Sequence, residues 1–277
     1  MTMDMYCVMG NPVEHSRSPW IHARFAQLTG QDLQYGKRLV PLDGFAAAVK
    51  AFRAEGGKGC NVTVPFKFES PTLATQLTTR ARLAQACNTL RFDGDEVLGD
   101  NTDGVGLVAD IGANAGIDIA GRDVLIVGAG GAAAGVLGPL IDAKPRRIAV
   151  ANRTQSRAAG LVVQHGELAR RHGVELLAPE LPRLRGAFDI VINATASSLS
   201  GAGVPIPAAV LKPGALACDL MYGPAAQGFL TWAGEHGALP RDGLGMLVEQ
   251  AAEAFLVWRG VRPPSAQVLA ELRATLP

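Results

Sequence analysis

The chain has 277 residues, of which 48% are hydrophobic and 18% charged, so it can bury a sizeable core, and its length favours two domains. Its formal charge is +1, from 26 basic and 25 acidic side chains without a long run of either sign, which argues against a nucleic-acid-binding surface. The cysteines form no CxxC pair, so we expect reduced thiols and neither a metal site nor a disulfide framework. They are Cys7, Cys60, Cys87 and Cys218.

Two segments bear on the location of the protein. The N-terminal sequence MTMDMYCVMG has neither a basic region nor a cleavage pattern, so we expect no secretory signal and predict a cytoplasmic protein. Residues 124–141 carry no charge and are long enough to span a membrane. They also contain five glycines and Pro139, which a strand, a turn and a helix explain better, so no membrane association is predicted.

The first hundred residues alternate between strand-like and helix-like runs. We predict strands near 5–9, 33–39, 60–64 and 88–92, and helices near 19–29, 43–55 and 71–84. Asp93-Gly94 is a turn signal that leads into residues 96–99, which predicts a hairpin. A helix near 103–115 follows and marks the boundary to a second alternating series.

That second series begins with apolar strands at 123–127 and 147–151. The alternation predicts an α/β fold with two domains and mostly parallel sheets. Near the C-terminus, apolar residues recur on one face of a further predicted helix. They are Leu244, Leu247, Val248, Ala251, Ala252, Phe255 and Trp258. The periodicity leaves open whether this helix extends the second domain or returns to the first.

A glycine-rich turn follows the strand at 123–127. Residues 128–133, GAGGAA, match G-x-G-x-x-G/A between a strand and a helix, the pattern of a Rossmann-type dinucleotide site. The pyrophosphate would meet the helix N-terminus. Glycine-rich turns also serve as plain connections, but this context favours a dinucleotide. The residues assigned to it are Gly128, Ala129, Gly130, Gly131 and Ala132.

The end of the next strand indicates which dinucleotide is bound. An NAD enzyme usually places Asp or Glu about 20 residues past the glycines, whereas this chain has Asn152 and Arg153, followed by Thr154 and Arg157. Two charged donors at about 1.5–3 kcal/mol each would favour a 2′-phosphate by about two to four powers of ten. Alternatively, Thr154 caps the next helix and the arginines are solvated. Capping is compatible with both interpretations, and we predict NADP.

Three polar clusters follow or end the strands of the first domain, at residues 10–19, at 61–67, and at 88 with 100–103. In parallel α/β sheets, the ligand crevice lies at the carboxyl ends of the strands, so these clusters could converge there. Each also has a structural explanation. Ser18 before Pro19 suits a helix N-cap, Asp103 suits a first helical turn, and Lys67 could be a surface lysine.

The motifs together resemble the shikimate dehydrogenase family, nearly from end to end. They are GNPVEHSRSPWIH, NVTVPFK, NTL at 88–90, GDNTDGVG at 99–106, GAGGA, NRTQSR, INAT at 192–195, DLMYGP at 219–224 and GLGMLVEQAAEAF at 243–255. The resemblance implies a substrate domain formed by residues 1–102 and 244–277, with a Rossmann-type NADP domain, residues 103–243, between them. It thus implies that the C-terminal helix returns to the first domain.

The resemblance also implies the reaction and its residues. The expected activity is the reversible, NADPH-dependent reduction of 3-dehydroshikimate to shikimate in aromatic amino acid biosynthesis, by a monomer or homodimer. Lys67 and Asp103 would be catalytic, and a lysine can give the alkoxide its proton. The implied substrate contacts are Ser16, Ser18 and Tyr222 for the carboxylate and Thr63, Asn88 and Gln250 for ring hydroxyls. Leu220 and Gly243 would join the cofactor site.

Two alternatives to this interpretation remain open. A dehydrogenase acting on quinate or another cyclohexane carboxylate would share the fold and most of the motifs. A non-catalytic NADP-binding sensor would keep the fold and lose turnover. The presence of both Lys67 and Asp103 argues against the sensor, because a sensor needs neither an acid nor a base.

Overall fold

The structure is a computed structural model that describes residues 3–195 and 206–276. Its strands are β1 (Asp4–Gly10), β2 (Leu33–Leu39), β3 (Gly57–Val62), β4 (Gln76–Leu77), β5 (Thr89–Asp93), β6 (Glu96–Asp100), β7 (Asp123–Val127), β8 (Arg147–Ala151), β9 (Glu175–Leu177), β10 (Phe188–Asn193), β11 (Leu211–Asp219) and β12 (Leu239–Arg241). Its α-helices are α1 (Ser18–Thr29), α2 (Phe45–Ala54), α3 (Thr79–Ala84), α4 (Asp103–Ala109), α5 (Gly131–Asp142), α6 (Gln155–His172), α7 (Gln227–Glu235), α8 (Leu244–Arg259) and α9 (Ser265–Ala274).

The chain divides into two compact units. One comprises Met1–Gly106 with Leu247–Pro277, and the other comprises Leu107–Met246. The chain therefore passes from one unit to the other within α4 and again within α8. The predicted α/β class with mostly parallel strands is confirmed by the two six-stranded sheets.

The sheet of the first unit has the order β2-β1-β3-β5-β6-β4. β1 pairs in parallel with β2 and β3, while β5 runs antiparallel to β3 and β6. The predicted hairpin is present, with Gly94 in the left-handed region at φ 56°. This arrangement puts the carboxyl ends of β1, β3 and β6 on the same edge of the sheet.

The helix predicted over 71–84 is present only over residues 79–84, and the prediction is wrong for residues 71–78. The structure has a short 3₁₀ turn at Ser70–Leu73, the strand β4 and then the short helix α3. Gln76 and Leu77 pair in parallel with β6, and the Thr78 hydroxyl accepts from the Ala81 N–H and caps α3. Strand pairing and a β-branched cap therefore override the apolar spacing of this segment.

Part of α8 packs in the first unit. Trp258 donates from Nε1 to the Leu90 carbonyl at 3.0 Å, and its ring stacks on Tyr6. Phe255 is fully buried and contacts Phe25 edge to face. The apolar face that the sequence indicates is thus buried against β5 and α1.

The second unit has a wholly parallel sheet with the order β12-β11-β10-β7-β8-β9. This is the Rossmann strand order, with β7 as the first strand. Alternate residues of each central strand enter two separate cores: Val124 and Ile126 enter one, and Leu125 and Val127 the other. Both faces of this sheet are covered, which is why its strands are continuously apolar.

Residues 124–141 form most of β7, a glycine turn and most of α5, as predicted. No helix among the described residues is long and apolar enough to cross a membrane.

The helix predicted over 103–115 consists of α4 followed by a π-helical turn at Asp110–Asn114. Arg241 donates from both Nε and Nη2 to the buried carboxylate of Asp110, at 2.7 and 2.5 Å.

We expect Gly245→Ala to break this ion pair. An ideal Cβ at Gly245 would lie 1.8 Å from Asp110 Oδ1, so the carboxylate would have to leave Arg241. Disrupting a buried ion pair should lower the free energy of unfolding by about 3 kcal/mol, measured by urea denaturation. Gly234→Ala in α7 is the control, because a Cβ at Gly234 would meet no atom within 4 Å. Equal stability of the two variants would contradict this account.

Candidate active site

The predicted catalytic pair is in direct contact. Lys67 lies on the 3₁₀ turn Phe66–Phe68 after β3, and Asp103 is the first residue of α4, after β6. Lys67 Nζ donates to Asp103 Oδ2 at 2.6 Å, and the two side chains are 17% and 6% exposed. The cation can therefore be reached from outside, whereas the carboxylate lies almost wholly inside the protein.

Asn88 joins this pair to two further polar side chains. Its Nδ2, which carries two hydrogens, lies within hydrogen-bond distance of three acceptors: Asp103 Oδ1 at 2.8 Å, Thr102 Oγ1 at 2.9 Å and Gln250 Oε1 at 3.1 Å. Four predicted site residues, Lys67, Asn88, Asp103 and Gln250, thus form one cluster. Such a set of charged, amide and hydroxyl groups can hold a polyhydroxylated ligand and exchange a proton with it.

A close approach of two helices positions Gln250. A Cβ on Gly106 of α4 would lie 2.6 Å from the Gln250 backbone nitrogen on α8. Only glycine leaves room for the two backbones at this distance. The Gln250 amide also donates to the Leu247 carbonyl at 2.8 Å, which leaves its Oε1 directed to Asn88.

The predicted carboxylate contacts follow β1. Ser16 is half-buried, Ser18 is buried, and the Ser18 N–H donates to the Ser16 hydroxyl at 3.3 Å. The structure does not have Ser18 as an N-cap, because the cap residue is Arg17 and Ser18 is already helical. Thr63 lies beside this loop, since a Cβ on Gly10 would be 2.3 Å from Thr63 Cγ2.

Other predicted residues belong to the second unit. A Cβ on Gly243 would lie 2.4 Å from the Leu220 carbonyl oxygen, so these two residues adjoin at the end of β11. Tyr222 follows β11 in the same unit. Its role toward the substrate carboxylate stays a prediction.

The glycine turn after β7 has the geometry that a pyrophosphate needs. Gly128 has φ 120°, and a Cβ there would lie 2.8 Å from the Ala194 carbonyl oxygen. Gly130 is the N-cap of α5, and a Cβ there would meet nothing within 4 Å. A ligand can therefore approach this backbone and the unpaired N–H groups of the first helical turn. The residues present fit a dinucleotide.

The segment after β8 contains the predicted selectivity residues. Asn152 donates from Nδ2 to the Thr154 carbonyl at 2.8 Å, which holds the turn. Thr154 is the N-cap of α6, without a side-chain capping bond. Arg153 and Arg157 are exposed, and within the described part of the chain neither forms an ion pair. Both guanidinium groups can therefore bind an added anion.

The sequence analysis missed several polar residues behind the cluster. Thr102 contacts both Asn88 and Gln250, and Asn61 donates to Thr89 and to the Asn88 carbonyl. Asn61 and Thr89 lie within the quoted motifs, but a motif match gives no partners. One available signal was a polar residue among the apolar residues of a buried strand.

Comparison with known proteins identifies the family. Three family models match: "Shikimate dehydrogenase substrate binding domain" at residues 8–90, "Shikimate / quinate 5-dehydrogenase" at 111–200 and "Shikimate 5'-dehydrogenase C-terminal domain" at 243–273. A relative from Acidovorax sp. (strain JS42), named shikimate dehydrogenase (NADP(+)), is 67% identical over 99% of this chain and 97% of its own. The chain belongs to the shikimate dehydrogenase family. The resemblance stated from the motifs is confirmed.

Several solved structures share the fold of this chain. The enzyme from Thermus thermophilus, in complex with NADP(H) and shikimate, is 30% identical with a TM-score of 0.86, over 99% of this chain and 100% of its own. An Ael1 enzyme from Pseudomonas putida is 45% identical with a TM-score of 0.89, covering 99% of each chain. A 5-ketofructose reductase from a Gluconobacter strain is 27% identical with a TM-score of 0.80, covering 98% of this chain and 99% of its own. Proteins of this fold are therefore named for different substrates.

A further ion pair holds Asp100 at the end of β6, three residues before Asp103. Arg80 donates from Nε and Nη2 to the Asp100 carboxylate at 2.7 and 2.5 Å, and from Nη1 to Glu253 at 3.0 Å. Burial alone would raise the pKa of Asp100, but the hydrogen bonds and charge of Arg80 outweigh it, and the net shift is downward. A lowered pKa stabilises the fold above about pH 4, the unfolded value, and this contribution is lost as pH falls through the folded value.

We expect Arg80→Met to lower the free energy of unfolding by about 3 kcal/mol at pH 7, because Asp100 loses its counter-ion. The difference from the original chain should narrow as pH falls below about 4 toward the lowered folded pKa of Asp100, because the carboxyl of the original chain becomes neutral only through that range. Urea denaturation at pH 7 and pH 3 measures both effects. Arg82→Met, an exposed change on the same helix, is the control. A difference independent of pH would contradict the assignment.

Proposed function

We propose that this chain interconverts 3-dehydroshikimate and shikimate with NADP, using Lys67 and Asp103 as its catalytic pair. The 2.6 Å contact between these side chains, held by Asn88 beside Gln250, is the observation that carries the proposal. Relatives of 62–67% identity over nearly the whole chain are named shikimate dehydrogenase (NADP(+)). The role in aromatic amino acid biosynthesis follows from that activity.

The pair accounts for the proton in the reaction. The ketone would receive a hydride from NADPH when that cofactor is bound, and its oxygen would then need a proton. The Lys67 ammonium, partly exposed, donates it, while Asp103 Oδ2 holds the ammonium in place. In the oxidative direction Lys67 accepts the hydroxyl proton.

Neutral polar groups would select the substrate. Ser16, Ser18 and Tyr222 are proposed to bind the carboxylate, and Thr63, Asn88 and Gln250 the ring hydroxyls. A buried amide or hydroxyl left without its partner is costly, so such a site rejects an analogue lacking the matching group. Quinate is the second candidate substrate, because one matching family model is described as shikimate / quinate 5-dehydrogenase.

The segment after β8 supports NADP rather than NAD. Asn152, Arg153, Thr154 and Arg157 would surround the adenosine 2′-phosphate, and the two guanidinium groups carry the charge that a phosphate requires. The segment between β8 and α6 contains no Asp or Glu, whose carboxylate would repel the 2′-phosphate. A cytoplasmic enzyme, monomeric or dimeric, remains the prediction for location and assembly.

We expect Lys67→Met to lower kcat for shikimate oxidation by about 10²–10⁴-fold, because the proton acceptor is lost. Initial rates of NADPH formation measure this. Lys58→Met, which removes an exposed lysine on β3, is the matched control and should keep its rate. A Lys67→Met enzyme with more than about a tenth of the original kcat would contradict the catalytic assignment.

We expect the double change Arg153→Ala with Arg157→Ala to raise the KM for NADP by about two powers of ten or more and to leave the KM for NAD unchanged. NADP and NAD differ only in the 2′-phosphate. The ratio of the two KM values therefore reports the contacts of the protein with that phosphate alone. The control, Arg170→Ala with Arg171→Ala, removes the same charge from the far end of α6. An equal rise for NADP and NAD would refute the proposed phosphate site.

A further inference from the structure

Three buried or half-buried polar residues of the first unit have no role in the proposed reaction. Tyr35 lies on β2, Asn61 on β3 and Thr89 on β5, where Asn61 and Thr89 face each other across neighbouring strands. Thr89 is 0% exposed and Asn61 6%. Polar groups buried this deeply are costly unless they are hydrogen-bonded, so their partners matter.

These residues form a hydrogen-bonded chain that ends on Asp103. The Tyr35 hydroxyl donates to Asn61 Oδ1 at 2.6 Å, and Asn61 Nδ2 donates to Thr89 Oγ1 at 3.0 Å. Thr89 Oγ1 donates to Asn88 Oδ1 at 3.1 Å, and Asn88 Nδ2 donates to Asp103 Oδ1 at 2.8 Å. Every donor in the chain points toward the carboxylate, so each bond polarises the next in the same sense.

The direction of the chain follows from its members. Burial raises the pKa of the Tyr35 phenol well above its ordinary value, so Tyr35 enters as a neutral O–H donor. Asn61 accepts this bond with its oxygen, which turns its NH₂ group toward Thr89. The Thr89 hydroxyl has one hydrogen, and because it accepts from Asn61 that hydrogen goes to Asn88 Oδ1.

The beginning of the chain is held by aromatic packing. The ring of His22 stacks on Tyr35, with centroids 4.3 Å apart and planes 6° apart, and it is fully buried. Burial lowers the pKa of His22 to about 3, so this ring is neutral and packs as an aromatic group. The Tyr35 hydroxyl is thereby held against Asn61.

The Thr89 hydroxyl and the Thr102 N–H together fix which end of the Asn88 amide meets Asp103. Asn88 Oδ1 is held by the Thr89 hydroxyl and by the Thr102 N–H, the latter at 2.8 Å. If the amide turned over, its oxygen would face the Asp103 carboxylate, and two acceptors would oppose each other. The hydroxyl of Thr89 favours the orientation that donates.

We propose that Thr89 is a positioning residue, which acts through Asn88 to hold the Asp103 carboxylate against Lys67 for proton transfer. This inference rests on the proposed function of Lys67 and Asp103. Thr89 is fully buried, so it does not itself touch the substrate. A purely structural role is the alternative, and it predicts that activity follows stability rather than the hydroxyl.

The test uses variants that distinguish the effect of losing the Thr89 hydroxyl from the effect of losing stability. Thr89→Val keeps the shape of the side chain and removes the hydroxyl, whereas Thr89→Ser keeps the hydroxyl and loses a buried methyl. We expect Thr89→Val to lower kcat for shikimate oxidation at least about tenfold, with a smaller change in KM. Thr89→Ser should stay within about twofold of the original kcat, although it is also destabilised.

A second pair of variants tests the proposal even if Thr89→Val does not fold. Thr89→Ala and Thr89→Ser both lack the methyl and differ only in the hydroxyl, so a difference in kcat of about tenfold between them would support the proposal. Thr75→Val, which removes a hydroxyl bonded to Val97 in the same unit, is the control. Equal kcat for the serine and alanine variants, or an unchanged kcat in Thr89→Val, would overturn it.

The same assay separates this inference from the proposed function. If Lys67→Met is inactive and Thr89→Val is fully active, the catalytic pair stands and the positioning role fails. If Lys67→Met remains active, the proposed function itself fails, whatever the Thr89 variants do.

Discussion

The contact between Lys67 and Asp103 is the interaction on which the rest of the site depends. A carboxylate that is 6% exposed needs several donors, and it receives them from Lys67 on one oxygen and Asn88 on the other. Because both oxygens are held, the ammonium is held too, at a place that solvent can reach. The buried hydrogen bonds around Asn88 thus keep one partly exposed cation in a fixed position.

The fold supplies this arrangement through its strand ends. Lys67 follows the end of β3, and Asn88 directly precedes β5. Asp103 lies three residues after Asp100, the last residue of β6. Antiparallel pairing of β5 with both neighbours brings its first residues to the edge where β3 and β6 finish. The Arg80 pair with Asp100 and the close approach at Gly106 then fix α4 and α8 against that edge.

Local chemistry made much of this predictable. The strands of the second unit are predictable because both faces of their sheet are buried, which makes them continuously apolar. The glycine turn is predictable because the backbone at Gly128 has a positive φ, which favours glycine. The segment 71–78 was mispredicted because pairing of β4 with a distant strand is absent from local periodicity. The role of Thr89 could not be predicted at all, since hydrogen-bond direction depends on residues brought together from three strands and a helix.

A crystal structure with bound shikimate and NADP would test the central claim most directly. The account predicts that the ring hydroxyl to be oxidised lies within about 3 Å of Lys67 Nζ, with Asp103 still bonded to Asn88. A substrate bound with that hydroxyl away from Lys67, or an Asp103 carboxylate released from Asn88, would contradict it.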